Sequence, residues 1–241
     1  MTKAYEIIEF LNEQLESHTI DDHSNNGMQV GDLSKSIDKI GFAVDATLET
    51  FEKAKAKGCD MLITHHGISW GDSLKFITGN NYERVSFLTK NNLALATYHL
   101  PLDVSLKYGN NAVIAQHLDL RKVKSFSYGV TGELKKELTI KQLGLLLNKV
   151  CTTNCKIYAH GMETIRSLAI ISGSGSKMVE QASKVADALI TGDLAYGMQH
   201  VAKEVKTNLV LAGHYETETF GLRALIPALK KKFPVDTVFL E

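Results

Sequence analysis

Two adjacent histidines, His65 and His66, stand in the run Thr64-His65-His66-Gly67, directly after the apolar triplet Met61-Leu62-Ile63. Neighbouring residues on a strand point to opposite faces, but where a strand ends the backbone turns, and both imidazoles can then reach adjacent cations. That arrangement suits two metal ions, one per histidine. Two later segments each carry a histidine followed four residues on by a carboxylate: His99 with Asp103, and His214 with Glu218. A helix beginning near Tyr215 sets His214 and Glu218 one turn apart on one face. Pro101 argues against a continuous helix through the other pair, because Leu100 before it is driven toward extended backbone, so this segment reads as a loop that brings Asp103 inward. Asp45, closing the apolar run from Ile40 to Val44, is placed to support the histidines from behind, and Trp70 and Tyr98 flank them where an aromatic ring can stack on a planar ligand. A single histidine beside a strand is more often a core or surface residue than a ligand. The metal reading therefore rests on three segments converging on one chemistry. Mixed imidazole and carboxylate ligation suits Zn, Fe, Mn, Co or Ni and does not distinguish them.

The segments between these residues must position them. Ile40 to Val44 reads as a strand, Thr47 as the N-cap of a helix that Gly58 ends, and Met61 to Ile63 as the next strand. In the second half Leu168 to Ile171 is again strand-like. The turn Gly173-Ser174-Gly175-Ser176, a helix from Lys177 to Ala186 and the strand Ala188 to Thr191 follow it. The block from Asn92 to His99 matches that from Asn208 to His214, and both end in the histidine of a His-x-x-x-acid element. These matches predict an α/β fold of two similar, interlocked halves from an internal duplication, residues 1–124 and 125–241, each a mixed sheet flanked by helices. The C-terminal segment is free in this scheme to pack back on the first half. Ligands of such sheets bind beyond the carboxyl ends of the strands, where every candidate residue lies. Asp193, in Thr191-Gly192-Asp193, takes the place in the second half that the histidine pair holds in the first, so one metal centre per chain is expected rather than two.

Composition bounds the function. The chain has 241 residues, 44% of them hydrophobic and 22% charged, which is ordinary for a globular protein of one large or two smaller domains. Lys and Arg together number 27, as do Asp and Glu, and this balance argues against nucleic acid or a membrane surface as the main partner. The basic runs Arg121-Lys122-Val123-Lys124, Lys135-Lys136 and Lys230-Lys231-Lys232 read as solvated faces, with nucleic-acid threading the weaker alternative. The N-terminal segment is amphipathic, carrying Glu9, Glu13 and Glu16, and lacks a secretory apolar stretch. No run of eighteen apolar residues occurs, and Cys59, Cys151 and Cys155 read as reduced structural thiols, so a cytoplasmic location is expected. There is no Gly-x-x-x-x-Gly-Lys-Ser/Thr loop, and Gly173 to Ser176 is a weak phosphate candidate beside the simpler reading of a turn.

Asn26-Gly27-Met28-Gln29-Val30-Gly31, Val44-Asp45-Ala46-Thr47, Thr64-His65-His66-Gly67, His99-Leu100-Pro101-Leu102-Asp103, Thr191-Gly192-Asp193 and Gly213-His214-Tyr215-Glu216-Thr217-Glu218 follow one another in this order. The series resembles the motifs of the Nif-three-like family, often labelled GTP cyclohydrolase 1 type 2, over nearly the whole chain. The resemblance implies two divalent metal ions per chain, with His65, His66, Asp103, His214 and Glu218 as ligands and Glu218 bridging. It pairs His66 with Asp103 on one ion and His65 with His214 on the other, leaving His99 and Asp45 as supporting or substrate-facing residues. It further implies a ring-shaped homohexamer, a trimer of dimers, and a small-molecule substrate of nucleotide type attacked by water at the purine imidazole ring. No catalytic side chain is assigned. Leu100 and Pro101 depart from the family's usual His-Thr-Asn-Leu-Asp pattern, which bears on the loop's conformation. A non-catalytic protein that stores or delivers metal predicts the same ligands, and a ring-shaped interaction factor is the third reading.

Overall fold

A computed structural model describes every residue from Met1 to Glu241. The first elements are β1 (Thr2–Lys3), α1 (Ala4–Leu15), β2 (Gly27–Val30), β3 (Ser36–Ile37), β4 (Lys39–Asp45), α2 (Leu48–Ala56), β5 (Met61–His66), α3 (Gly79–Lys90), β6 (Ala94–Thr97) and α4 (Leu100–Val104). After them come α5 (Asn110–His117), β7 (Arg121–Phe126), β8 (Gly129–Thr139), α6 (Ile140–Val150), β9 (Lys156–Tyr158), β10 (Thr164–Ile171), α7 (Val179–Ser183), β11 (Ala188–Thr191), α8 (Met198–Glu204), β12 (Asn208–Leu211), α9 (His214–Lys232) and β13 (Asp236–Phe239). They divide into two compact units, Met1–Leu102 with Leu222–Glu241, and Asp103–Gly221.

The first unit is built on a five-stranded sheet in the order β13-β4-β5-β6-β2, parallel except for β2, which runs antiparallel to β6. Parallel strands covered on both faces need unbroken apolar runs, and Ile40, Phe42, Met61, Leu62, Ile63 and Leu95 are all fully buried. Thr47 caps α2, its hydroxyl accepting from the Thr50 amide at 3.1 Å, and the helix lays Phe51 and Ala54 on the sheet. Helix α1 buries Ala4, Ile7, Ile8, Leu11 and Leu15, the stripe of an amphipathic helix. The last strand of the chain, β13, adds alongside β4 in this sheet.

The second unit carries a six-stranded sheet in the order β7-β8-β10-β11-β12-β9, with β10, β11 and β12 parallel and the outer strands antiparallel. The two-residue period of a strand sorts its core cleanly. Leu168, Ile170, Ala188, Ile190 and Val210 face one apolar cluster, whereas Ala169, Ile171, Leu189 and Leu209 face another. Ala112, Ile114, Ala115 and Leu118 join the first of these clusters, so the stretch from residue 103 to 124 packs with the second unit. The basic run Arg121 to Lys124 lies on the exposed edge strand β7, where lysines discourage further strand pairing. The helix expected from Lys177 to Ala186 is shorter: a turn of 3-10 helix over Gly175–Met178 leads into α7, which stops at Ser183. The Ser183 hydroxyl donates to the Glu180 carbonyl and competes with continued helix.

Both units thus contain three parallel strands met in chain order, β4-β5-β6 and β10-β11-β12, within mixed sheets flanked by helices. This is the α/β architecture expected from the sequence. No helix is long and apolar enough to cross a membrane.

Candidate metal centre

In the first unit the carboxyl ends of three parallel strands deliver the chemistry. His65 and His66 close β5, Asp45 closes β4 opposite His66 in the ladder, and His99 follows β6. His65 is fully buried, and its Nδ1 lies 3.1 Å from the Tyr98 carbonyl. A carbonyl can only accept, so this nitrogen carries the proton and the lone pair falls on Nε2. His66 Nδ1 donates to Asp45 Oδ1 at 2.9 Å, and His99 Nδ1 to Asp22 Oδ1 at 3.0 Å. The rings gather closely, with centroids 4.7 Å apart for His65 and His66, 5.1 Å for His65 and His99, and 5.7 Å for His66 and His99. Ligand atoms of the three imidazoles lie within 4.8 Å of one another.

The loop after His66 is held by Gln29 of β2. Its Oε1 accepts from the Ile68 and Ser69 amides at 2.8 and 3.0 Å, and its Nε2 donates to the Asn25 carbonyl at 2.9 Å. Trp70 sits edge-on to His99 at 5.0 Å and donates its indole N–H to the Gly67 carbonyl. Tyr98, expected beside the site, instead points into the core. Its ring is fully buried, its hydroxyl donates to Asn12 Oδ1 at 3.0 Å, and burial pushes the phenol's pKa up. Tyr98 and His99 both lie beyond the end of β6, where the Tyr98 ring is carried into the core toward Asn12 and the His99 ring toward Asp22 and Trp70.

In the second unit the ends of β10, β11 and β12 do the same. His214 opens α9 after Gly213, whose φ of +85° turns the chain from strand to helix. His214 Nδ1 lies 2.5 Å from Asp193 Oδ2, and His214 Nε2 lies 3.1 Å from Glu218 Oε2, one helical turn on. The hydrogen bond to Glu218 outweighs burial and, with the charges of Glu218 and Asp193, pushes the His214 pKa up to about 9. Asp103 is buried, and its Oδ1 accepts from Asn110 Nδ2 at 3.0 Å and from the Ser172 hydroxyl at 2.8 Å. Asn111 completes that frame by donating to the Asp103 carbonyl and accepting the Ser172 amide.

One local expectation is corrected. The segment from Leu100 to Asp103 is not an open loop but part of the one-turn helix α4. Proline is tolerated in a first turn, where its missing N–H has no intrahelical partner to lose, and Asp22 Oδ2 accepts the Leu100 amide at 2.9 Å as a cap. In the Gly173 to Ser176 turn the Gly173 N–H donates to Thr217 Oγ1 and the Gly175 N–H to Thr191 Oγ1, which accords with the simpler reading of a turn.

Sequence reasoning missed Asp22, Asn110, Asn111 and Ser172, and read Asp193 as the residue left by a lost ligand rather than as the partner of His214. Asp22 has no local signature, since its partners lie up to 78 residues away. The pair Asn110-Asn111 opens α5, and both of these side-chain amides are buried.

Histidines and carboxylates gathered at the carboxyl ends of parallel strands place the chain in the class of α/β proteins with a candidate divalent-metal centre. The sequence profile of Duf34/NIF3 (NGG1p interacting factor 3) matches residues 2–241, and the chain belongs to that family. It is 37% identical over 243 residues to a "GTP cyclohydrolase 1 type 2 homolog" of Pyrococcus horikoshii, covering 98% of this chain and 96% of that protein. Among solved structures, TTHA1606 of Thermus thermophilus superposes with a TM-score of 0.93 at 30% identity, covering 100% of this chain and 98% of that one. Reduced HcgD of Methanocaldococcus jannaschii gives a TM-score of 0.89 at 29% identity, with 100% and 98% covered.

Proposed function

We propose that this chain binds two divalent metal ions on His65, His66, Asp103, His214 and Glu218 and uses them in hydrolysis of the GTP cyclohydrolase 1 type 2 kind. In that reaction one water adds at C8 of a purine nucleotide and opens the imidazole ring to a formamide, and a second water hydrolyses the formamide, releasing formate and the free amine. One observation carries the reading: the Nδ1 atoms of His65 and His66 each face a fixed oxygen, which orients these imidazoles to offer Nε2 as metal-ligating histidines do, while His214, held at Nδ1 by Asp193, points its Nε2 at the Glu218 carboxylate, its co-ligand in this proposal. The donor set fits such ions, being borderline nitrogen with carboxylate oxygen. When bound, two such ions supply Lewis acidity, lowering the pKa of water and polarising the atom it attacks. The protein's own part is orientation. Asp45 and Asp193 fix the imidazoles, and Asn110 and Ser172 fix the Asp103 carboxylate. Trp70, beside His66 and His99, offers a flat apolar face to a planar base.

The family resemblance extends the proposal to a ring-shaped homohexamer, which light scattering on the untagged protein tests, and the sequence reading extends it to a cytoplasmic location. Metal content by elemental analysis, for wild type and for His66→Ala/Glu218→Ala, tests the site itself. Close to two ions per chain, lost in the variant, are expected. Formate release from GTP, proportional to loaded metal, then tests the reaction. Wild-type protein that takes up no metal refutes the proposal, and full loading without turnover of GTP or related purines removes its catalytic half.

A further inference from the structure

We propose that His23 and Trp70 form the two walls of a slot that clamps the purine base of the substrate beside the candidate metal centre. The inference rests on the purine substrate proposed above and adds to it the residues that select the base.

Two segments of the first unit build the slot. Ser24 and Trp70 form an isolated antiparallel bridge, the Asn25 amide donates to the Ser69 carbonyl at 3.0 Å, and the Gly71 amide donates to the His23 carbonyl at 2.8 Å. The Asn25 side chain ties the segments a second time, donating to Ser69 Oγ at 2.7 Å and to the Gly71 carbonyl at 2.9 Å. His23 and Trp70, distant in the chain, are therefore carried on one frame.

Trp70 is fixed at both ends, its amide donating to Ser73 Oγ at 2.8 Å and its indole N–H to the Gly67 carbonyl at 2.9 Å. Its ring stands 6.3 Å from that of His66 and 5.0 Å from that of His99, so a base lying on it is next to the histidines at the ends of β5 and β6. His23 is exposed, and its imidazole rests over Gly71. A Cβ at Gly71 would come within 2.8 Å of His23 Cε1 and 3.4 Å of its Nδ1. Gly71 thus serves two ends: its φ of +46° makes the turn, and its bare Cα leaves room for the imidazole.

Ring separation distinguishes a slot from a stacked pair. The centroids of His23 and Trp70 lie 6.5 Å apart, with the planes tilted by 33°. Stacked rings approach to about 3.5–4.0 Å between carbon atoms, and a third ring inserted between two others needs roughly twice that, about 7 Å. The two rings are too far apart to satisfy each other and close to the width that admits a planar guest. A small rotation of the exposed imidazole, which also removes the tilt, supplies the rest. The indole overlaps a fused two-ring base more fully than a single ring, so the slot favours purine over pyrimidine.

Trp70 is the chain's single tryptophan, so its fluorescence reads the slot directly. GMP and UMP share ribose and phosphate and differ only in the base, and each is titrated into the full chain as purified. GMP is expected to quench Trp70 saturably and to bind at least about fivefold more tightly than UMP. His23→Ala should weaken GMP by about 5- to 20-fold, the lower part of the range for one aromatic stack. His23→Phe, which keeps a ring and loses both nitrogens, should return GMP affinity to within about twofold of wild type. Rescue by a ring alone is a readout that a structural or hydrogen-bonding role for His23 does not give. Equal GMP affinity in wild type and His23→Ala overturns the slot, as do UMP binding as tight as GMP binding and Trp70 fluorescence that GMP leaves unchanged. Formate release from GTP with the same KM in wild type and His23→Ala also overturns it, while leaving the proposed hydrolysis standing. Quenching by GMP that weakens in His23→Ala and returns in His23→Phe, in protein that releases no formate from GTP or related purines, supports the slot and removes the catalytic half of the proposed function.

Discussion

Gly173→Ala separates backbone strain from damage to the site. Gly173 has φ +59°, in the left-handed region, where an alanine costs about 1–2 kcal/mol. For a chain of this size that corresponds to a melting temperature lowered by about 2–8 °C. The added methyl would also meet neighbours. Its Cβ would fall well inside contact distance of Glu218 Oε1 and lie 3.1 Å from Glu218 Cδ and 3.2 Å from His214 Nε2. Glu218 is 4% exposed on a helix, so it cannot swing into solvent and must be displaced within the site. Gly58→Ala is the control, since Gly58 has φ +70° and nothing within 4 Å of its hypothetical Cβ. Both variants should lose similar stability, read by thermal melts of metal-free protein. Calorimetric titration with Zn²⁺ should then show metal affinity lowered about 10- to 100-fold in Gly173→Ala, as for other losses of ligand orientation, and unchanged in Gly58→Ala. Equal affinities in the two variants would refute the placement of Gly173 against the His214–Glu218 pair.

Two further outcomes test regions away from the proposed metal ligands. Burial pushes the Cys151 thiol up to about 12, with Cys155 and Glu216 adding to the shift, and burial carries Cys155 up to about 11 against a backbone hydrogen bond, so both stay protonated at neutral pH. Disulfide-reagent labelling at pH 7.5 should run at least about tenfold slower in native than in guanidinium-unfolded protein, and comparable rates would contradict the buried placement. Asp187 accepts from the Ser167 amide and hydroxyl at 2.7 and 2.8 Å and from the Arg166 amide at 2.9 Å; burial raises its pKa, but these bonds bring it below the ordinary value. A depressed folded pKa stabilises above the unfolded value of about 3.9 and is lost as pH falls through the folded one. Asp187→Asn should therefore cost about 1–2 kcal/mol at pH 7 by denaturant melts, allowing for its partial exposure, and the gap to wild type should close below about pH 4. A gap independent of pH would remove the charge from the explanation.

What the sequence made legible follows from the range of the forces involved. Strands β5, β10 and β11 were readable because buried parallel strands need uninterrupted apolar residues, and His214 with Glu218 because helical spacing is local. The conformation of α4 was not, because Pro101 favours extended backbone before it and the cap that reverses this preference, Asp22, comes from 78 residues earlier. Tyr98 and His99, both past the end of β6, were equally plausible at the site, and only tertiary partners send one ring to Asn12 and the other to Asp22 and Trp70. The C-terminal strand β13 pairs with β4, almost two hundred residues away in the chain, with nothing in Asp236–Phe239 to name that partner.

The histidines themselves are visible in the sequence, but a histidine becomes a ligand only when its other nitrogen is engaged, and that partner is never its neighbour in the chain. His66 is fixed by Asp45, 21 residues earlier; His214 by Asp193, 21 residues earlier; His99 by Asp22, 77 residues earlier. The equal spacing of the first two pairs has a structural cause. Each aspartate ends or follows one parallel strand and each histidine ends or follows the next, so a strand, a helix and a return separate them. A βαβ unit therefore brings an acid and an imidazole to adjacent strand ends as a consequence of its geometry. His99 departs from this rule because β5, the parallel strand before β6, ends in His65 and His66 rather than in an acid, while the antiparallel β2 on the far side brings its amino end, Gly27 opposite Thr97, to this edge. The loop before β2 supplies Asp22 instead. The orienting group at His99 thus comes from outside any βαβ unit, which is why a variant at Asp22 reports on this imidazole separately from the others.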